Sequence, residues 1–395
     1  MMSKGRRLWI YTWNGEGWTD STGWLTGDPC MNVWYGVYCD EDAGLWALSL
    51  IGNNMTGVLN ESIGDLFALQ YLKLAGGQIG GMFPSSIGKL KHVTYFDLSD
   101  NEFEGAIQAS VENMTMLETF YGYGNRLEGT VPEFTHCNEL TEVILFENNL
   151  SGELPSFSSN PKLQMLDLGI NNLEVGVPDL SNNTNLQDLS LNSNNLSGSL
   201  PDFKNNHFLL DLDLFYNNLY GNLPDFKSNL NLQYLYHNNN NLEGTIPLFD
   251  SCPNLTGLAL GGNSLSGPLP SFTSTLYLQV LNVQNNRLSG PLSPDFAATP
   301  FLQTLLANNN DFFGTLSPTL FDLKNITDVI LSGNANLKGT LPSTFDVRHN
   351  KIGGSMPTSR LPPRNLRLQR RRKPEEEGGA KESLLSLAGS GGDDE

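Results

Sequence analysis

The chain has 395 residues, 39% of them apolar and 10% aromatic, and a formal net charge of −19. That apolar content excludes a wholly disordered chain, and the acidity argues against nucleic acid or an anionic membrane surface as a partner. No apolar run approaches the roughly 20 residues that a membrane-spanning helix needs.

The opening stretch, MMSKGRRLWIYTW, sets Lys4, Arg6 and Arg7 before a short apolar run and has no small-residue cleavage site. No export signal is visible in the chain as written. Next comes GDPCMNVWYGVYCDE (27–41), with Cys30 and Cys39 nine positions apart around Trp34 and Tyr35. Two readings are open for this pair: unrelated buried thiols, or a clasp over the end of a structure that would otherwise show its core to water.

From about residue 45 the pattern LxxLxLxxNxLxGxLP recurs, with its asparagine at 53, 101, 125, 148, 171, 194, 217, 240, 263, 286, 310 and 334 and Gly77 in the same phase. Thirteen anchors at intervals of 23 or 24 residues define a solenoid. In LxLxxN the two leucines alternate inward over a short strand, and the asparagine amide satisfies backbone groups where the chain turns. Stacked coils then form one parallel sheet on the concave side, and each coil is stabilised by its neighbours. A second apolar column (Ile63, Ile87, Val111, Phe134, Phe157, Leu180, Phe203, Phe226, Phe249, Phe272, Phe296 and Leu320) always lies 14 residues before the next anchor. The one-residue difference between units therefore falls in the outer, convex segment.

Near the end the rule breaks. After Phe345 the next anchor should fall at 359, but Asn350 comes nine residues early, as a deletion or a misjoined coding segment would produce. Beyond Pro357 a basic run, RLQRRRK (367–373), an acidic run and Gly/Ser follow without repeats, and the segment reads as a disordered tail.

The repeat, over about residues 45 to 357, resembles the plant-type leucine-rich repeat. The Trp-rich segment before it, with Trp34, Gly36, Val37 and Cys39 as WxGVxC, resembles the N-terminal cap of leucine-rich-repeat receptor-like proteins. The resemblance implies an α/β solenoid, a right-handed superhelix with a concave parallel β-sheet and an irregular or 3-10 convex side. It implies three parts: a cap over 1–44, thirteen repeats plus one shortened over 45–357, and the charged tail over 358–395. It also implies a Cys30–Cys39 disulfide that holds Trp24, Trp34 and Tyr35 as a lid on the first coil, a bridge worth about 2–4 kcal/mol. The tail lacks the membrane span and kinase domain that receptor kinases of this kind carry. Cys137 and Cys252 share one phase of the repeat five coils apart, more than about 20 Å at the spacing of stacked strands, and read as buried free thiols.

Chemistry leaves little trace. The five histidines fall in different repeats and phases, and no HExxH, CxxC or GxSxG occurs, so we expect no enzyme, metal or cofactor. The solvent-facing positions lie six, four, two and one before each anchor. In repeats three to nine they include Tyr95, Asp97, Tyr121, Tyr123, Glu142, Phe146, Glu147, Asp167, Asp188, Asp211, Asp213, Phe215, Tyr216, Tyr234 and Tyr236. An acidic strip interleaved with tyrosines suits a basic peptide or protein loop, and aromatic faces also suit a glycan. N-x-S/T sequons at Asn54, Asn60, Asn113, Asn149, Asn182, Asn195, Asn254 and Asn325 agree with the cysteine pair in pointing to the secretory pathway. The expectation is a non-enzymatic recognition ectodomain, extracellular or at the cell surface, with a signalling role and an N-terminus incomplete as written. Alternatives are a soluble inhibitor or scaffold that binds an enzyme or a cell-wall glycan, and a cytoplasmic scaffold.

Overall fold

The structure, a computed structural model, describes residues 17–40, 44–292, 296–316, 318–320 and 322–338. The written start, the break after Phe345 and the 358–395 tail lie outside these residues.

Each repeat contributes one short strand to a single sheet, from Gly44–Ser49 and Tyr71–Lys73 to Asp328–Ile330. These strands run parallel and stay in register, so that Asp188, Asp211 and Tyr234 occupy one row across three neighbours. A further strand, Val37–Asp40, closes the N-terminal edge by pairing antiparallel to Gly44–Ser49. The strands are short because an anchor, asparagine in every unit but the one with Gly77, turns the chain after each. Asn171 shows how: its Nδ2 donates to Leu145 O of the preceding coil at 3.0 Å and to Leu168 O at 3.1 Å. Its Oδ1 accepts from Leu150 N at 2.9 Å, so one amide satisfies backbone groups of two coils. Inside, Phe134, Phe157, Phe203, Phe226, Phe249, Phe272 and Phe296 form a buried aromatic column opposite the leucines.

The convex side explains the two repeat lengths. The units of 24 residues carry 3-10 turns, at Glu61–Asp65, Ser85–Lys89, Ala109–Asn113, Phe296–Ala298 and Pro318–Leu320. Among the described residues the units of 23 carry none. In four of those shorter units a fully buried asparagine stands three residues after the outer apolar position: Asn160, Asn183, Asn206 and Asn229. Cys137 and Cys252 occupy the same position at either end of this run and are buried and free, as the sequence indicated. The arm between the anchor and the convex wall also pairs, in three small parallel sheets that the repeat pattern alone did not announce.

The cap is the expected lid with one change of residue. Cys30 and Cys39 are bridged, and Trp24 and Trp34 are buried on the first coil, with indole N–H groups donating to Tyr35 O and Thr26 O at 3.0 Å each. Tyr35 is instead 39% exposed and contributes its carbonyl rather than its ring. Trp18 takes its place, edge-on to Trp24 at 4.7 Å. Gly36 has φ +71°, and a Cβ there would lie 2.1 Å from Ser49 O, so the turn onto the sheet requires glycine. Asn53 ties cap to solenoid, donating to Asp20 O and accepting from Asp20 N.

Candidate ligand-binding surface

The parallel register brings the solvent-facing side chains into rows, and three zones result. In the first, Tyr71 and Tyr95 stack with centroids 4.5 Å apart, and Tyr121 meets Tyr95 edge-on. Lys73 and Asp97 are buried beside them and form an ion pair at 3.3 Å. Tyr95 Oη accepts from Lys73 Nζ and donates to Asp97 Oδ2. Tyr121 donates to the Glu142 carboxylate, and Tyr123 stacks on Phe146 at 4.7 Å. Most of the polar groups here are answered within the face.

The second zone is acidic. Asp188 and Asp211 are direct neighbours in the ladder, and Asp167 and Asp213 flank Ser190 in the adjoining row. Asp213 is buried, and its carboxylate accepts from Asn192 Nδ2 at 3.3 Å and Phe215 N at 3.4 Å. Like charges set opposite one another across a ladder weaken it, so the arrangement is not explained by sheet stability. The seven residues preceding each anchor contain no lysine or arginine after Lys73.

The third zone is apolar. Phe215, Tyr236 and Ala259 form a buried cluster separate from the main core, with Tyr234 packed on it. The two tyrosine rings lie 5.8 Å apart. They fit because the neighbouring strand begins with Gly257, where a Cβ would sit 2.8 Å from Tyr236 Oη and 3.0 Å from Tyr234 Cδ1. Beyond it the same rows hold mainly Gly, Ala, Asn, Thr and Ser.

Glu147 and Tyr216 precede the anchor directly, with φ of +57° and +52°, in a left-handed corner, and the Tyr216 ring meets Phe215 edge-on at 5.5 Å. Tyr71, Lys73 and Asn238 belong to the face and were not singled out from sequence, although their phase in the repeat identifies them. The sequon asparagines are exposed except Asn60, which is half-buried and caps a 3-10 turn by accepting from Ser62 N. Asn54, Asn254 and Asn325 donate side-chain amides to backbone carbonyls. Among the described residues no group of three or more His, Cys, Asp or Glu could hold a metal ion, and no helix is long and apolar enough to cross a membrane.

Coil, ladder and cap together make the chain a leucine-rich-repeat solenoid with a disulfide-bridged N-terminal cap. The Leucine Rich Repeat family profile matches residues 185–206 and 277–298. Solved structures resemble most of it. One described as the PEPR1–AtPEP1 complex is 27% identical, with a TM-score of 0.72 over 83% of this chain and 51% of that one. The Arabidopsis receptor kinase HAESA ectodomain, in complex with an extended IDA peptide hormone ligand, is 26% identical, with a TM-score of 0.64 over 86% of this chain and 66% of that one. The plant peptide hormone receptor RGFR1, in complex with RGF2, is 26% identical, with a TM-score of 0.65 over 78% of this chain and 61% of that one. The resemblance to plant leucine-rich-repeat receptor ectodomains thus holds in fold, repeat and cap. The chain spans about half to two thirds of the length of these solved receptor chains. No curated protein sequence matches it.

Proposed function

We propose that the chain is a non-enzymatic recognition module, extracellular and N-glycosylated, that binds a basic peptide or protein loop on its concave face. The observation that carries this is the run Asp167, Asp188, Asp211 and Asp213 beside the Phe215–Tyr236 cluster, on a face whose strand segments hold no cation after Lys73. Carboxylates steer and pair with a cationic ligand, and the aromatic cluster supplies contact area. The peptide complexes of the resembling receptors support the reading. We place the cap over 1–44, the repeats over 45–357 and a separate tail beyond them.

The test is binding of a pool of lysine- and arginine-containing peptides to the full chain and to a variant with Asp188→Asn and Asp211→Asn. Removing two charges without changing shape should weaken binding by about tenfold or more and flatten its salt dependence. Equal binding by both proteins would sink the concave, charge-steered reading.

A further inference from the structure

We infer that the concave face of repeats eight to ten holds a subsite for a guanidinium group, so that the ligand presents an arginine there in preference to a lysine. This rests on the reading of that face as the surface for a basic peptide or protein. Asn238 carries it. It stands two positions past the strand Tyr234–Tyr236, where the backbone ladder continues through Tyr216 N to Asn238 O and Asn239 N to Gly261 O, in the row of Phe215 and Gly261. It is only 5% exposed, and its Oδ1 has no hydrogen-bond partner. A buried acceptor left without a donor is costly, so a ligand that brings a donor to it gains free energy there.

The surroundings define the donor. Asp211 and Asp213 lie on the neighbouring strand, in register with Tyr234 and Tyr236. The rings of Phe215 and Tyr236 form the adjoining apolar wall. A guanidinium is planar, carries five N–H donors in a fixed fork and stacks on aromatic rings, so one group can answer a carboxylate, an amide oxygen and a ring face together. An ammonium is a compact point charge without a stacking plane, and it meets the carboxylates but not the full set. Tyr236 lies over Gly257, which has no side chain beyond its backbone, so the tyrosine ring has space on that side to move aside for a ligand.

The experiment uses the full chain and three blocked pentapeptides, acetyl-Gly-Ser-X-Ser-Gly-amide with X arginine, lysine or citrulline, titrated at low salt and followed by NMR. The arginine peptide should bind about tenfold tighter than the lysine peptide, and citrulline, which keeps the shape but not the charge, should not bind measurably. Asn238→Ala should bring the arginine affinity down to that of lysine, whereas Asn238→Asp, which keeps an acceptor, should preserve the preference. Equal binding of arginine and lysine, or a preference that survives Asn238→Ala, overturns the subsite. If those peptides still weaken with Asp188→Asn and Asp211→Asn, the concave reading stands and only the subsite falls. If none of the three pentapeptides binds, the subsite falls, and the concave reading is decided separately by the peptide pool.

Discussion

The side-chain amide of Asn206 donates to the backbone carbonyl of Asn183 in the preceding coil at 2.9 Å and to that of Leu180 at 3.0 Å. The same pair of bonds repeats at Asn160, Asn183 and Asn229, so a second asparagine ladder runs along the convex wall where the shorter units lack a 3-10 turn. Asn206→Ala should therefore take one of two donors from each carbonyl, leaving Leu180 O to Asn183 N and Asn183 O to Leu186 N, at a cost of about 1–3 kcal/mol in urea denaturation. Asn206→Leu should recover little of it, since leucine restores apolar area but no donor. A loss below about half a kcal/mol would mean that the convex backbone finds other partners.

The anchors, the leucine rows and the aromatic column were legible because a solenoid converts sequence phase directly into position: residues one unit apart in the chain stand one strand apart in space. The burial of Asp97, Asp213, Phe215 and Tyr236 was not, because it depends on which side chains of neighbouring coils lean over them. Gly257 decides how Tyr236 lies, and that is a relation between strands rather than a property of either. The left-handed corner at Glu147 and Tyr216 did leave a signal. The same phase holds Gly76, Gly124, Gly262 and Gly333, with Asn239, Asn285 and Asn309, the residue types that tolerate positive φ. The convex ladder left one too, in the recurrence of asparagine or cysteine three residues after the outer apolar position.

Cutting the cap's covalent bond should be felt in the first coils. Cys30 and Cys39 close a short loop under Trp24 and Trp34, and a bridge of this kind stabilises by about 2–4 kcal/mol, mainly by restricting the unfolded chain. Replacing both cysteines by serine should lower the unfolding midpoint, and hydrogen exchange should rise first in Gly44–Ser49 and Tyr71–Lys73. Exchange unchanged in those strands would show that the tryptophans hold the cap without the bridge.

The two remaining thiols should be silent in the folded protein. Burial, and secondarily the nearby Glu112, pushes the Cys137 thiol up to about 12. Burial and then Asp225 push Cys252 up to about 11. The thiolate is the reactive species, so iodoacetamide at about pH 8 should label neither residue in the native state and both in denaturant. Rapid native labelling of Cys252 alone would reveal local opening beside Asn229.

The fully buried His237 stands where most repeats place a leucine, and both its ring nitrogens lack hydrogen-bond partners. Burial drives its pKa down from 6.5 to about 4, opposed in part by the nearby Tyr236 backbone, which does not reach hydrogen-bond geometry. The folded value lies below the unfolded one, so between these limits the unfolded chain holds the proton and the folded chain does not. Stability from this group is whole above about pH 6.5 and falls as the pH drops toward about 4, by roughly 3 kcal/mol over the full interval. His237→Leu should remove that segment of the pH profile and raise stability at neutral pH by about 1–3 kcal/mol, because two unpaired polar atoms leave the core. Urea midpoints of both proteins between pH 4 and 7 give the comparison. Curves that stay parallel throughout would mean that the imidazole finds a partner in solution and titrates as an ordinary histidine.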